Sequence, residues 1–263
     1  MHKLYQNKYS NELNLNLINV RYAENNFIVS DEFAISLSAN YPKQANDIIT
    51  FKLFLYLSSL ASENGLSNEL ILLDNKVLAS DLKMANKALI LLSLEYLRSI
   101  TFNYIHKCKG KLTKHSCKIV DDYSASKGYI SIKLNAEYLS LLGIYRNQFV
   151  SIPNEFFALD IKSYRHSVFL YYYILLHRKR NFSRKNKDTI SVNELIKHCP
   201  LLPKYFDLGK QKQVSRNIVM PFQNNMNYLA SVFNFTWKYE SDVSSYVSFQ
   251  ANKVLLDCNN QPS

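Results

Sequence analysis

One order of helix and strand signals runs through this 263-residue chain twice, and few folds accommodate it. In the first pass, residues 48–60 are apolar nearly all round (Ile48, Ile49, Phe51, Leu53, Phe54, Leu55, Leu57, Leu60), the pattern of a buried helix. A short strand pattern follows at 69–73, then a short helix at 75–81 and a longer one at 83–99. Leu89, Leu92, Tyr96 and Ile100 are predicted to form the inward face of the longer helix. Strand patterns at 100–105 and 117–134 flank a lysine-rich loop. In the second pass an apolar helix spans 163–179 and a strand 188–190. Ser191-Val192-Asn193-Glu194 is a capping box that starts a helix, which must stop near Cys199 because Pro200 follows. A loop over 201–208 leads into a long helix pattern opened by Asp207 or Gly209. Strand patterns at 233–239 and 245–249, with a turn at 241–244, complete the pass.

Helix, strand, short helix, long helix, two strands is the winged-helix order. The expected class is therefore α+β, with two tandem winged-helix domains, each a helix-turn-helix carrying a β-hairpin wing. Sequence identity between the two passes is negligible, so the repeat is one of pattern. The expected divisions are a flexible, Asn-rich N-terminal arm over 1–25, a first winged helix over 26–147, a second over 148–256, and a tail over 257–263.

The long helix of the second pass is the most telling segment. Val214, Ile218, Phe222 and Met226 recur at helical spacing and face a core, leaving Lys210, Lys212, Gln213, Arg216 and Asn217 on the other side. Lys and Arg neutralise phosphates, and Arg, Asn and Gln bond bidentately to base edges in a major groove. The same residues would equally suit the solvated face of a structural helix. Pro221 lies inside this pattern and removes a helix hydrogen bond, so a kink or a new helix is expected there, with 209–220 as the projecting part.

Charge agrees with a polyanionic partner. The chain has net charge +11, and residues 151–256 hold 15 Lys and Arg against 7 Asp and Glu, which makes the second half the main DNA-reading domain. Arg178, Lys179, Arg180, Arg184, Lys185 and Lys187 follow the apolar helix of this half. Their density exceeds what a helix C-terminus requires, and they are expected to grip phosphates beside the reading helix. Lys107, Lys109 and Lys111, with Lys114 and Lys118, crowd the loop of the first half and suit a wing lying along a backbone. Lys83 and Lys87 give the first long helix a thinner polar face, consistent with weak DNA contact or with dimerisation.

Other chemistry finds little support. Five unclustered glycines provide neither a Walker phosphate loop nor a dinucleotide turn. The six histidines never take the spacing of a rolling-circle nicking site, and no paired-carboxylate cluster or nucleophile elbow occurs. His106, Cys108, His115 and Cys117 fit no familiar zinc spacing. The expectation is no enzyme activity, no metal and no cofactor. Tyr171, Tyr172 and Tyr173 sit in an apolar helix and are read as core packing rather than base stacking. Four irregularly spaced cysteines suit a reducing compartment, no signal-peptide pattern opens the sequence, and the longest apolar run, Val168–Leu176, is too short for a membrane span. A cytoplasmic protein with no membrane association is expected.

The second half also resembles the plasmid and phage replication initiators built from tandem winged helices, which bind repeated sites at an origin. The resemblance rests on Ile152-Pro153-Asn154-Glu155-Phe156-Phe157, Arg165 with Val168–Leu176, and Ile190-Ser191-Val192-Asn193-Glu194-Leu195. It continues through Cys199-Pro200-Leu201-Leu202-Pro203-Lys204-Tyr205 and Val214-Ser215-Arg216-Asn217-Ile218-Val219-Met220-Pro221-Phe222. The first half matches in element order and in Lys87-Ala88-Leu89 and Leu97-Arg98-Ser99-Ile100. The resemblance implies a double-stranded DNA partner contacted through Lys212, Gln213, Arg216 and Asn217. It admits host replication proteins such as a helicase as further partners, and a homodimer. A transcriptional regulator of the same fold, or a winged-helix assembly module that binds no specific DNA, are the competing readings.

Overall fold

The computed structural model describes the backbone of residues 12–16, 20–23, 26–29, 33–37, 46–63, 70–83, 87–99, 101–108, 111–144, 149–185, 188–197 and 215–257. Side chains are described for 48–61, 70–83, 87–99, 117–140, 142, 152–185, 188–196 and 215–257. The chain divides into two compact units, Met1–Ala158 and Leu159–Ser263.

The first unit contains β1 (Glu12–Asn16), β2 (Val20–Ala23), β3 (Asn26–Val29), β4 (Phe33–Leu37), α1 (Asn46–Glu63), β5 (Leu70–Asp74), α2 (Asn75–Asp81) and α3 (Lys87–Ser99). It continues with β6 (Thr101–Cys108), β7 (Lys111–Lys118), β8 (Val120–Ala125), β9 (Tyr129–Leu134), α4 (Ala136–Ile144) and β10 (Phe149–Pro153). One sheet has the order β5-β9-β8, a second β2-β3-β4-β6-β7, and β1 pairs with β10. Alternation in β5 puts Ile71 and Leu73 on the core, while α1 buries Leu53, Leu55, Tyr56, Leu57 and Leu60.

Polar groups pin the junction between α2 and α3. The Asp74 side chain caps α2 by accepting the N–H groups of Lys76 (2.7 Å) and Val77 (3.1 Å). At the other end, Lys83 takes a left-handed conformation with φ 47°. Lys52 of α1 is fully buried, and its Nζ donates to the Leu82 carbonyl at 2.9 Å; the Tyr56 hydroxyl donates to Asp81 Oδ2 at 2.7 Å. A buried cation needs such a partner, and a helix C-terminus is a favourable one. Lys83→Gly relieves the left-handed strain and is expected to stabilise the protein by ~0.5–1 kcal/mol, raising Tm by a few degrees in a thermal melt.

The second unit contains α5 (Ser167–Arg180), β11 (Thr189–Ser191), α6 (Val192–Lys197), a π-turn at Ser215–Val219, α7 (Met220–Phe233), β12 (Thr236–Tyr239), α8 (Tyr246–Ala251) and β13 (Lys253–Asp257). Its sheet order is β11-β13-β12. In both units, therefore, the last strand lies between the first and second of a three-stranded antiparallel sheet that follows the same helix order. The chain is a mixed α+β protein whose arrangement is consistent with winged-helix-like domains. The α5 tyrosines are core residues, with Tyr171 stacked on Phe233 at 3.6 Å and Tyr173 donating to Glu194 Oε2 at 2.8 Å.

Several details differ from the sequence expectations. Glu12–Asn16 and Val20–Ala23, within the expected arm, are strands, the former paired with Phe149–Pro153. The division between units falls after Ala158 rather than at 147–148, because Ile152, Phe156 and Phe157 are buried and Phe157 packs edge-on against Tyr56 of α1. In α3 the buried stripe is Ile90, Ser93, Leu94 and Leu97, and Leu92 is 55% exposed. An apolar run offers two stripes one residue apart, and the Thr50–Ser93 hydrogen bond (3.2 Å) belongs to the one used.

The lysine-rich loop is largely two paired strands, β6 and β7, and the backbone of Lys107 and Lys111 lies in them. Residues 245–249 form a helix rather than a strand, since Ser245 and Ser248 cap each other's backbone, and the last strand begins at Lys253. The strand expected from Phe233 begins at Thr236, because α7 runs on to Phe233 and ends at left-handed Asn234.

Candidate nucleic-acid interface

Helix α7 and the turn before it sort their residues by face. Ile218, Phe222, Met226, Leu229 and Phe233 are buried. Arg216, Met220, Asn224, Asn227 and Ser231 are exposed, and at steps of three and four they form one stripe, with exposed Ser215 next to Arg216. Pro221 sits in the first turn of α7 directly after the π-turn, where its missing N–H is tolerated. The expectation of a new helix at this proline agrees with that boundary. Buried Asn225 braces the segment: its Nδ2 donates to the Pro221 carbonyl at 2.7 Å, and its Oδ1 accepts the His166 N–H at 3.0 Å.

The stripe carries one cation (Arg216), two amides (Asn224 and Asn227) and no carboxylate. It presents donors and acceptors to a base edge without repelling phosphate. Arg216 lies on it, whereas Asn217 lies beside it and is half-buried. Lys210, Lys212 and Gln213 lie outside the described residues. Asn224 and Asn227 escaped the sequence reading, which ended the projecting part at Met220. The signal was available, since both continue the helical spacing from Arg216 through Met220.

The N-terminal part of α7 is held at one end of the small sheet. Phe222 meets Trp237 at 6.1 Å and Phe249 at 5.5 Å, both edge-to-face, and the Trp237 indole donates to Asn227 Oδ1 at 2.9 Å. Tyr239 pairs with Val254 at this end, while Thr236 pairs with Asp257 at the other. The loop between β12 and β13, which carries α8, thus projects at the end nearest Ser215–Val219.

The second basic group occupies the opposite end. Strand β11 enters at Thr189, paired with Leu255, and Asp188 accepts the Leu256 N–H at 2.8 Å, so the α5–β11 turn lies at the Asp257 end of β13. Arg178 forms a 2.8 Å ion pair with Asp188. Lys179, Arg184 and Lys185 are exposed and Arg180 is half-buried; Lys187 is outside the described residues. These cations do not share the end that carries Arg216, contrary to the expectation that they lie beside the reading helix. The cause is that β11 runs towards the projecting loop while its preceding turn stays behind.

In the first unit the corresponding helix, α3, has a different surface. Lys87 donates to the Ser126 carbonyl at 3.0 Å, and Lys83 is exposed at the left-handed turn. Leu92 and Glu95 occupy the middle of the exposed face. Glu95 accepts from Arg98 at 2.9 Å and from the Tyr123 hydroxyl at 3.2 Å, and Arg98 also approaches Asp122 at 3.5 Å. A carboxylate at this point opposes phosphate approach. Lys109 lies outside the described residues, as do the side chains of Lys107 and Lys111.

Burial sets the proton affinities of two histidines in the second unit. His166, at the start of α5, is lowered to about 4 by burial and secondarily by Arg165, so it is neutral at pH 7. A base whose folded pKa lies below its unfolded value binds more protons when unfolded. Stability is then full above about pH 6.5 and falls as the pH drops towards 4, by at most roughly 3 kcal/mol. Urea titrations from pH 7 to 4 are expected to show that slope and to lose most of it in His166→Asn. His177 is likewise lowered by burial and adds in the same direction. Among the described residues, no group of three or more His, Cys, Asp or Glu is placed to hold a metal ion, and no helix is long and apolar enough to cross a membrane.

The chain is similar in fold to domains 2 and 3 of RctB. The crystal structure of selenomethionine derivatives of those two domains superposes with a TM-score of 0.50 at 10% identity, covering 89% of this chain and 90% of that one. No protein-family model matches the sequence, and no curated protein matches it. At that identity the likeness concerns the fold and extends over both units.

Proposed function

We propose that this protein is a non-enzymatic, sequence-specific double-stranded DNA-binding protein built from two tandem winged helices, and that it initiates replication of a plasmid or similar mobile element at repeated origin sites. The observation that carries the reading is the exposed stripe Arg216–Met220–Asn224–Asn227, running from the π-turn along α7, free of carboxylates and braced against the strands of a projecting loop. Its support comes from the basic second half, the sequence resemblance to origin-binding initiators, and a fold shared over both units with domains 2 and 3 of RctB. In this reading the stripe enters the major groove of a repeat, and Lys210, Lys212 and Gln213 extend the contact towards its N-terminal side. The first unit contributes little base reading, because Leu92 and Glu95 hold the centre of the face on α3. It serves for backbone contact through Lys83, Lys87 and the β6–β7 lysines, or for assembly.

The test is a titration of the full chain against duplexes from the DNA flanking its own gene, with random duplex as competitor. One or more short, directly repeated segments should bind at least a hundredfold more tightly than random duplex, with affinity falling steeply in salt. Equal affinity for all duplexes would remove the sequence-specific reading. A site lying at a promoter, with no effect on origin activity when mutated, would replace initiation by transcriptional control.

A further inference from the structure

The turn between α5 and β11 presents an aromatic ring among cations, at the end of the second unit away from Arg216. Phe182 is 75% exposed. Lys179, Arg184 and Lys185, each within three residues of it in the chain, are exposed as well, and residues 178–185 include no carboxylate.

Residues 181–184 are tied to the end of α5. The Asn181 N–H and Nδ2 both donate to the His177 carbonyl (3.0 and 2.9 Å), the Phe182 N–H to Lys179 (3.3 Å) and the Arg184 N–H to Asn181 (2.8 Å). The Arg178–Asp188 ion pair (2.8 Å) joins the helix to the start of the strand across the turn. Ring and cations are therefore displayed on a fixed support.

We propose that this turn is a contact site for single-stranded nucleic acid, in which Phe182 stacks on a base and Lys179, Arg184 and Lys185 hold the neighbouring phosphates. Charge complementarity selects a polyanion, and the ring selects its form. Stacking needs the face of a base, which an unpaired strand offers and a duplex hides; duplex grooves expose only base edges. The position also matters, since a duplex seated on the α7 stripe meets the other end of the sheet. A flat anionic surface is served less well, because the turn has one ring and no amphipathic helix to lie in an interface. The proposal is separate from the duplex reading of α7 and does not depend on it.

The experiment is fluorescence anisotropy of labelled oligo-dT of about 20 nucleotides with the full chain, in parallel with the gene-flanking duplex. Phe182→Ala should weaken oligo-dT binding about tenfold, Phe182→Trp should preserve it, and neither should change duplex binding or Tm. Arg216→Ala should show the reverse pattern, so failure of one site is distinguishable from failure of the other. Absence of oligo-dT binding by the unmodified protein, or equal binding by Phe182→Ala, overturns the proposal. A Phe182→Ala defect confined to phosphatidylglycerol vesicles would overturn it in favour of a membrane contact.

Discussion

Phe222→Ala is expected to destabilise the protein by about 3–5 kcal/mol, measured as a lowered midpoint in urea denaturation. The side chain is fully buried, and its ring meets Trp237, Tyr239 and Phe249, so it joins α7 to both the second strand and the short helix of the projecting loop. Truncation removes the transfer energy of a large aromatic group and leaves a cavity that three rings cannot readily close. The loss should also appear in binding, because the ring fixes the angle at which the exposed stripe meets the loop beside it. Phe222→Leu, which keeps most of the volume, should recover more than half of the stability. A loss below about 1 kcal/mol for the alanine variant would mean that α7 is not held as described.

Arg216→Ala is expected to lower affinity for the specific duplex by roughly 5- to 150-fold, about 1–3 kcal/mol, while affinity for random duplex changes little. Arg216 is exposed on the π-turn, one turn ahead of Met220 on the same face, and replacing it disturbs no buried group. Arg216→Lys separates the two roles proposed for this arginine. It keeps the charge that attracts phosphate and loses the planar fork that reads a base, so the specific loss should persist. Competition titrations at one fixed salt concentration distinguish these outcomes. Specific affinity unchanged in Arg216→Ala would exclude this residue from base reading.

The repeat of element order was legible because its longer helices carry extended apolar runs. Residues 48–60 read as a buried helix because they are apolar nearly all round, and 75–81 as a short helix whose Asp74 cap only the structure showed. Pro221 announced a kink or a helix start, and a helix starts there. Less was legible where two readings shared one composition. The run from Ala88 to Leu94 allowed two inward stripes, and only packing chose the one with Ser93. Ser245–Phe249 alternates like a strand, yet two serine side chains satisfied the backbone of a helix start instead.

The pairing of Glu12–Asn16 with Phe149–Pro153 joins segments far apart in sequence, which no local pattern reveals. At the candidate site, Arg216 was readable from type and spacing. Asn224 and Asn227 were hidden by treating the proline as the end of the useful face, when the face continues past it. The basic turn at 178–185 was visible as charge, but its end of the sheet follows only from the strand register.

The stripe on α7, and not the equivalent face of α3, is expected to lie against the bases of a duplex. The direct measurement is photocrosslinking with benzoylphenylalanine placed at Asn224 or at Leu92, in complex with the repeat-bearing duplex. Crosslinks to bases from position 224 and few or none from position 92 are the result expected here. Absence of crosslinks from 224, or base crosslinks from 92 of equal yield, would contradict the account.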